Sequence, residues 1–405
     1  MARVTRAGSI NVEDRRLKTI TVLGSTGSVG CSTVDLLMAH RDRYQVRCLT
    51  GGRNAALLAK QAIELGAELA VIGDPAHYPA LQQALAGTAI RTACGDAAVV
   101  DAAAIPVDWT MAAITGAAGL PSTLAAIRRG GAIAFANKEA LVCAGEVMLQ
   151  AVRDAGATLL PVDSEHNAIF QAMAEKNDRA VERIILTASG GPFRTASVAD
   201  MRAATPEVAL RHPVWSMGAK ISIDSATLFN KGLELIEAAR LFNLPESQVD
   251  VLVHPQSVVH GLVCYTDGSV LAQLGSPDMR IPIAHCLSWP ERLTTSSPRL
   301  NLAAVARLDF AEPDTGRFPA LRLCRDALRV GGGAPTILNA ANEVAVAAFL
   351  DRRIGFLGIA HIVESVLDRL GAPPAASLDD VMDLDRTGRR VAAELVAADT
   401  ARPAA

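Results

Sequence analysis

The sequence predicts an α/β protein in three parts: a doubly wound parallel-sheet domain, an α+β domain and a C-terminal helical bundle. Three observations carry that expectation. From Lys18 to about Val162, short apolar runs alternate with helical patterns, as in a parallel sheet covered by helices. The first run ends in a glycine-rich turn, Gly24-Ser25-Thr26-Gly27-Ser28-Val29-Gly30, which makes the first domain Rossmann-like. From about Ser164 the alternation gives way to hairpin signals, and beyond Pro313 helical patterns dominate. A chain of 405 residues is also long for one hydrophobic core.

In the first region, 19–23, 44–50, 68–72, 109–114, 132–136 and 158–162 read as strands. The stretches 28–40, 54–65, 120–129 and 139–155 read as the helices between them. Ligands on such sheets sit at the carboxyl ends of strands. Polar motifs follow Leu23, Thr50, Ala136 and Val162, all at that edge. In the second region, 183–188 is a strand leading into Ser189-Gly190-Gly191-Pro192. A helix over 225–242 follows, and strands 257–265 and 269–274 flank Thr266-Asp267-Gly268, a hairpin turn. A connector with prolines and serines spans 290–313, and 319–330, 336–350, 355–370 and 378–398 read as helices. The expected division is a flexible N-terminal extension (1–17), a nucleotide domain (18–162), a catalytic domain (163–289), a linker (290–313) and a helical domain (314–405) with a frayed tail.

Half the residues are apolar and the formal net charge is −3, which argues against a disordered chain and against bulk attraction to nucleic acid. Seven scattered cysteines show neither metal-ligand nor redox spacing, so they read as reduced thiols. Residues 1–18 lack the apolar core of a secretory signal. The charge-free run 109–127 approaches membrane-spanning length, but Gly116, Gly119 and Pro121 interrupt it. A cytoplasmic protein with no membrane or nucleic-acid partner is expected.

The turn at Gly24 places backbone amides where a pyrophosphate would sit, with Gly24 and Gly27 for the turn and Gly30 for helix-on-strand packing. Its spacing differs from the commoner fingerprint, and a plain structural turn is the alternative. The second strand ends Gly51-Gly52-Arg53-Asn54, with a cation where an NAD site would carry a carboxylate. That favours the 2′-phosphate of NADPH over a merely solvated arginine.

Asp163 and Glu165 lie two apart where a strand stops; in extended backbone both side chains would point one way and could grip one cation. Asn230 and Glu234 are i,i+4 neighbours on a helix, and Lys231 lies i,i+3 from Glu234. Oxygen ligands without a His/Cys set suit Mg²⁺ or Mn²⁺ better than Zn²⁺. The plainer alternative is a surface Lys–Glu pair and a capping Asp-Ser. Ser189-Gly190-Gly191 offers a hydroxyl and bare amides to phosphate, or is an ordinary strand-end turn. The loop 211–218 is suited to closing over substrate, although core packing of Trp215 is slightly favoured. His254, His260, His285 and Met279 read as core residues.

These motifs, with Ala136-Asn137-Lys138-Glu139-Ala140-Leu141-Val142 and Leu338-Asn339-Ala340-Ala341-Asn342-Glu343, occur in an order that resembles the 1-deoxy-D-xylulose 5-phosphate reductoisomerase family, over about 18–394. The resemblance implies a V-shaped homodimer. It also implies rearrangement of 1-deoxy-D-xylulose 5-phosphate and reduction of the resulting aldehyde to 2-C-methyl-D-erythritol 4-phosphate, in non-mevalonate isoprenoid synthesis. Carried over by motif, Thr26, Gly27, Ser28, Val29, Gly52, Arg53, Asn54, Asn137, Glu139 and Gly218 would contact NADPH. Asp163, Glu165 and Glu234 would hold Mg²⁺ or Mn²⁺. Lys138, Ser164, Glu165, Ser189, His212, Ser225, Asn230, Lys231 and Glu234 would hold the substrate, with Ser189, Ser225, Asn230 and Lys231 around its phosphate. Lys138, Glu165, Glu234 and His212 would be catalytic, Glu165 as the proton-transfer group. The sequence departs from the family in its N-terminal extension, a short segment between Phe170 and Arg183, and Arg53 where lysine is frequent. Two rivals remain: a homoserine-dehydrogenase-like NADPH reductase, which needs no three converging carboxylates, and a non-catalytic nucleotide-binding regulator.

Overall fold

The structure, a computed structural model, describes residues 16–173, 178–215 and 217–400. The expected N-terminal extension lies outside the described residues except for its last two, as do the tail and Ser216 of the 211–218 loop.

Seven strands form one parallel sheet: β1 (Lys18–Leu23), β2 (Tyr44–Gly51), β3 (Leu69–Ile72), β4 (Arg91–Cys94), β5 (Trp109–Ala112), β6 (Ala132–Phe135) and β7 (Thr158–Pro161). Their order is β4-β3-β2-β1-β5-β6-β7, so the winding reverses between β1 and β5. A crevice opens at the carboxyl ends of strands at such a switch point. Helices cover both faces, which is why the inner strands are nearly continuous apolar runs; Ile20, Val22, Leu23, Trp109 and Met111 are all fully buried. β4 was not foreseen. Its residues, Arg-Thr-Ala-Cys, are only partly covered at the sheet edge and give no apolar run to read.

The second sheet contains β8 (Val181–Ala188), β9 (Val249–Val253), β10 (Val259–Tyr265) and β11 (Val270–Leu274), in the order β11-β10-β8-β9. β10 and β11 form the expected antiparallel hairpin, and β9 runs parallel to β8. The unforeseen β9 does carry a readable alternation, Val249, Val251 and Val253 facing inward. Four helices, Ala320–Val330, Ala334–Leu350, Gly358–Leu370 and Leu378–Thr400, complete the fold. They share one apolar core with this sheet, including Leu186, Val263, Leu233, Leu321 and Phe349. The helix Arg280–Ser288 packs instead with the parallel sheet, its Ile283 and Leu287 joining Trp109 and Leu160. Among the described residues no helix is long and apolar enough to cross a membrane, and all seven cysteines are free.

Two irregularities position the functional side chains. The expected single helix over 225–242 is in fact two, Ala219–Thr227 and Phe229–Leu241, broken at Leu228 with φ 64°. Thr227 ends the first by turning its hydroxyl back to the carbonyls of Ile223 and Asp224. Asn230, Lys231 and Glu234 thereby fall in the opening turns of a new helix. The helix Lys138–Ala155 kinks at Ala144, where φ is −119° and ψ 31°. The buried Arg240 guanidinium donates to the carbonyls of Leu141 and Val142 just before the kink, filling bonds the helix cannot make. Replacing Arg240 with alanine strands both carbonyls, so Arg240→Ala is expected to cost about 2–4 kcal/mol. The check is a lower denaturant midpoint at unchanged slope.

Candidate active site

The glycine turn is pinned to the neighbouring strand. Gly24 N donates to Thr50 Oγ1 at 3.0 Å and Ser25 N to Thr50 O at 2.7 Å. The helix Ser28–Ala39 follows with Gly27 as its N-cap, no side chain on its first amides and no acidic residue in its first turn. Those amides and the positive end of the helix dipole suit a phosphate. Gly30 cannot be larger, since a Cβ there would lie 2.2 Å from Gly24 O.

The other expected cofactor residues fall in the turn itself, after β2 and β6, and at the N-cap of the helix Ala219–Thr227. Thr26 packs over Gly51 at the end of β2. Gly52 and Arg53 are exposed; Arg53 Nε meets Asp74 Oδ2 at 3.1 Å, and its side chain remains 81% exposed, leaving the outer guanidinium for a phosphate. Asn54 caps the next helix through Leu57 N at 3.1 Å. Asn137 does double duty: Oδ1 accepts from Ala140 N at 3.2 Å and Nδ2 donates to Gly116 O at 3.1 Å, tying the end of β6 to the loop after β5. Glu139 is buried against Lys220 at 3.0 Å, and Gly218 is the N-cap of Ala219–Thr227.

β7, the helix Ser164–Ala172 and the helix Phe229–Leu241 bring the proposed metal and substrate residues together. Lys138 Nζ lies 2.6 Å from Asp163 Oδ2 and 3.2 Å from Glu234 Oε1, and donates to Asn230 Oδ1 at 2.8 Å. Lys231 Nζ lies 2.8 Å from Glu165 Oε1 and also pairs with Glu234. Ser164 Oγ donates to Glu165 Oε2 at 2.6 Å. Two ammoniums are therefore shared among three carboxylates. Burial alone would lower the Lys138 pKa, but Asp163, Glu234 and Glu237 outweigh it and hold it well above the usual lysine range. Burial likewise pushes Glu165 up, and Lys231 and Ser164 more than offset this, keeping it below the ordinary carboxylate range. The deeper Glu237 is pushed well up, by burial first and then by Asp163.

The tightest metal-like grouping differs in one member from the expected trio. Ligand atoms of Asp163, His166 and Glu234 lie within 4.8 Å of one another, while Glu165 is joined to Glu234 through Lys231. His166, one residue after Glu165, escaped the sequence reading. It is fully buried, with Nε2 2.9 Å from Glu234 O and Nδ1 lacking a partner. Asp163 Oδ2 is also buried, against the Lys138 ammonium at 2.6 Å. An oxygen-rich set with a net negative charge fits a hard divalent cation.

Lys138, Asp163, Ser164, Glu165, Asn230 and Glu234 line one cleft of about 360 Å³, which also takes in Ser28 and Val29 from the nucleotide turn. Ser189, His212, Ser225 and Lys231 line it too. Gly191 is held at φ 66°, and a Cβ there would meet Ser225 O at 2.8 Å, so the turn after β8 presses on the helix carrying Ser225. His212 Nδ1 accepts from Val214 N at 3.2 Å and Trp215 N at 2.8 Å. That fixes the proton on Nε2, which donates to Ser189 Oγ at 2.9 Å. Gly191 N donates to the same oxygen at 3.2 Å, leaving the Ser189 hydroxyl proton for a ligand.

Three residues read as core or near-core belong to this cleft: Trp215, His260 and Met279 all line it. His260 lies 6.3 Å from the Trp215 ring. Isolated apolar neighbours gave no sign of which face of β10 would look into a site. His254 is core, fully buried with Nδ1 2.8 Å from Asp309 O, and His285 is pushed down to about 4 by burial.

Three family models match in succession. 1-deoxy-D-xylulose 5-phosphate reductoisomerase covers residues 20–145, its C-terminal domain 159–242, and the DXP reductoisomerase C-terminal domain 274–391. A 1-deoxy-D-xylulose 5-phosphate reductoisomerase of Gluconobacter oxydans is 63% identical over 92% of both chains, and that of Rhodospirillum centenum is 60% identical over 94% of this chain and 95% of its own. The Zymomonas mobilis enzyme in complex with NADPH superposes with a TM-score of 0.90 at 55% identity, over 94% of this chain and 99% of that one. A DOX-P reductoisomerase in complex with NADPH, fosmidomycin and magnesium gives 0.90 at 42% identity, over 94% and 98%. The chain belongs to the 1-deoxy-D-xylulose 5-phosphate reductoisomerase family.

Proposed function

We propose that this chain converts 1-deoxy-D-xylulose 5-phosphate to 2-C-methyl-D-erythritol 4-phosphate, with NADPH as reductant and Mg²⁺ or Mn²⁺ as the required cation. The observation that carries this reading is the single cleft in which Lys138, Asp163, Glu165, Lys231 and Glu234 meet Ser28 and Val29 of the nucleotide turn. Neither a homoserine-dehydrogenase-like reductase nor a nucleotide-binding regulator calls for that concentration of buried charge, and family membership disfavours both. Loss of NADPH absorbance on adding the sugar phosphate, with and without divalent cation, tests the reading. No consumption with cation present would overturn it.

In this account Asp163, Glu165 and Glu234 would hold the cation, with His166 bracing the backbone of Glu234. The bound ion supplies Lewis-acid polarisation of the substrate's oxygens, and NADPH supplies the hydride. Glu165, kept ionised by Lys231, takes a proton from a substrate hydroxyl. Lys138 presents a permanent positive charge to developing oxyanion character. The phosphate end is held by the free Ser189 hydroxyl, Ser225, Asn230 and Lys231. His212 sets Ser189, and Trp215 beside His260 closes a wall against water. The Gly24–Gly30 turn, residues 52–54, Asn137, Glu139 and Gly218 would hold the cofactor. We take 18–162 as the cofactor domain, 163–289 as catalytic, 290–313 as linker and 314–405 as helical, and place the protein in the cytoplasm, in keeping with its free cysteines.

Assembly is part of the reading. β11 is a sheet edge, and Val270 and Leu271 on it are 53% and 48% exposed. An uncovered apolar edge strand invites a second copy. A homodimer of twice the 42.4 kDa chain mass is expected by sedimentation, shifting toward monomer in Leu271→Asp.

Glu234→Gln removes one carboxylate charge shared with two lysines. Mn²⁺ affinity, read by electron paramagnetic resonance, should fall by roughly tenfold or more, with turnover. Retention of wild-type affinity would place the ion elsewhere. Burial lowers the His212 pKa below the ordinary histidine value. The neutral ring and its two amide contacts therefore persist at neutral pH and are lost as pH falls through the depressed value. Tryptophan emission should show an acid transition below about pH 6.5 that disappears in Trp215→Phe. A flat wild-type profile above global acid unfolding would contradict the assignment.

A further inference from the structure

We propose that Lys220 is a cofactor-positioning residue, which orients the Glu139 carboxylate and locks it to the helix that carries Ser225. The inference deepens the reading above and rests on Glu139 facing NADPH. Lys220 Nζ lies 3.0 Å from Glu139 Oε1 and 2.6 Å from Asp224 Oδ2. Both carboxylates are almost fully buried, with side chains 7% and 2% exposed. Asp224 is anchored from behind, its Oδ1 accepting from Asn342 Nδ2 at 2.8 Å. The ammonium thus bridges three parts of the chain: the helix Lys138–Ala155, the helix Ala219–Thr227 and, through Asp224, the helix Ala334–Leu350.

Glu139 sits at the cofactor end of the molecule. It follows Asn137, which bonds the loop after β5 beside the switch point, and Lys138, which reaches the carboxylate cluster. Its carboxylate stays ionised although buried, because Lys220 and then Lys138 outweigh desolvation. A buried carboxylate with one long-armed partner keeps its direction only while that partner is present. Lys220 is two residues beyond Gly218, the helix N-cap expected to touch the cofactor, while Ile221 and Ser225 of its own helix line the cleft. The side chain acts through Glu139 and not on the reacting atoms. It therefore couples Glu139 to the helix that carries Ser225 without itself contacting a ligand.

The test compares the full-length wild type with Lys220→Met and with Lys220→Met/Asp224→Asn. The second variant removes one positive and one negative charge together, so the fold does not have to tolerate an unpaired Asp224. NADPH is titrated by nicotinamide fluorescence without sugar phosphate, and Mn²⁺ separately by paramagnetic resonance. Both variants should bind NADPH roughly tenfold or more weakly while Mn²⁺ affinity stays within about twofold, the loss expected for one charge-assisted contact. Unchanged NADPH affinity in the double variant, or an equal fall in Mn²⁺ affinity, would overturn the proposal. If wild type bound NADPH but never consumed it with substrate and metal, the proposed function would fail and this comparison would still stand. Absence of NADPH binding by the wild type would overturn both.

Discussion

Two lysine ammoniums shared among three carboxylates set the terms for the rest of this molecule. Lys138 and Lys231 hold Asp163, Glu165 and Glu234 in one partly enclosed cleft, Lys138 on Asp163 and Glu234 and Lys231 on Glu165 at 2.6–3.2 Å, with Lys231 paired to Glu234 as well. Charges buried in this way cost several kcal/mol each unless they are paired, so removing any one leaves another stranded. The cluster is therefore poor material for stability alone. It makes sense as a preorganised electrostatic surface whose net negative charge a divalent cation would relieve.

The fold is arranged to bring these charges to one place from distant sequence. Lys138 opens the helix after β6, Asp163 and Glu165 flank the end of β7, and Lys231 and Glu234 begin the second of two broken helices. The left-handed residue Leu228 is buried in the core, and the surrounding packing must compensate a conformation costly for leucine. Arg240 does the same for the kink behind Lys138. Both irregularities lie within one helical turn or two of the cleft. Lys220 and Asn342 extend the charge network to the C-terminal helices, which are thereby joined to Glu139 and the helix after β6.

Much of this was legible from sequence because the signals were local. Alternation of apolar runs and helical patterns gave the parallel sheet, and Gly24 to Gly30 gave the turn at its switch point. The ordered motifs led to the family before any coordinates. What stayed hidden was non-local or masked. β4 has no apolar run, whereas the alternation of β9 was there to be read and was passed over. The break at Leu228 lacks glycine or proline. His166 escaped notice because its ring reaches the backbone of Glu234 sixty-eight positions away. His260 read as core because an apolar strand does not announce which side looks into a cleft. The pairing of Lys138 with Asp163 and of Lys231 with Glu165 needed three-dimensional placement; spacing along the chain offered only Lys231 with Glu234.

The most direct measurement is anomalous scattering from crystals grown with Mn²⁺. One peak at about 2.1 Å from oxygens of Asp163, Glu165 and Glu234, with the Lys138 and Lys231 ammoniums drawn aside, is the predicted result. A peak bound by Asp163, His166 and Glu234 with Glu165 still on Lys231, or no peak in this cleft, would contradict the account.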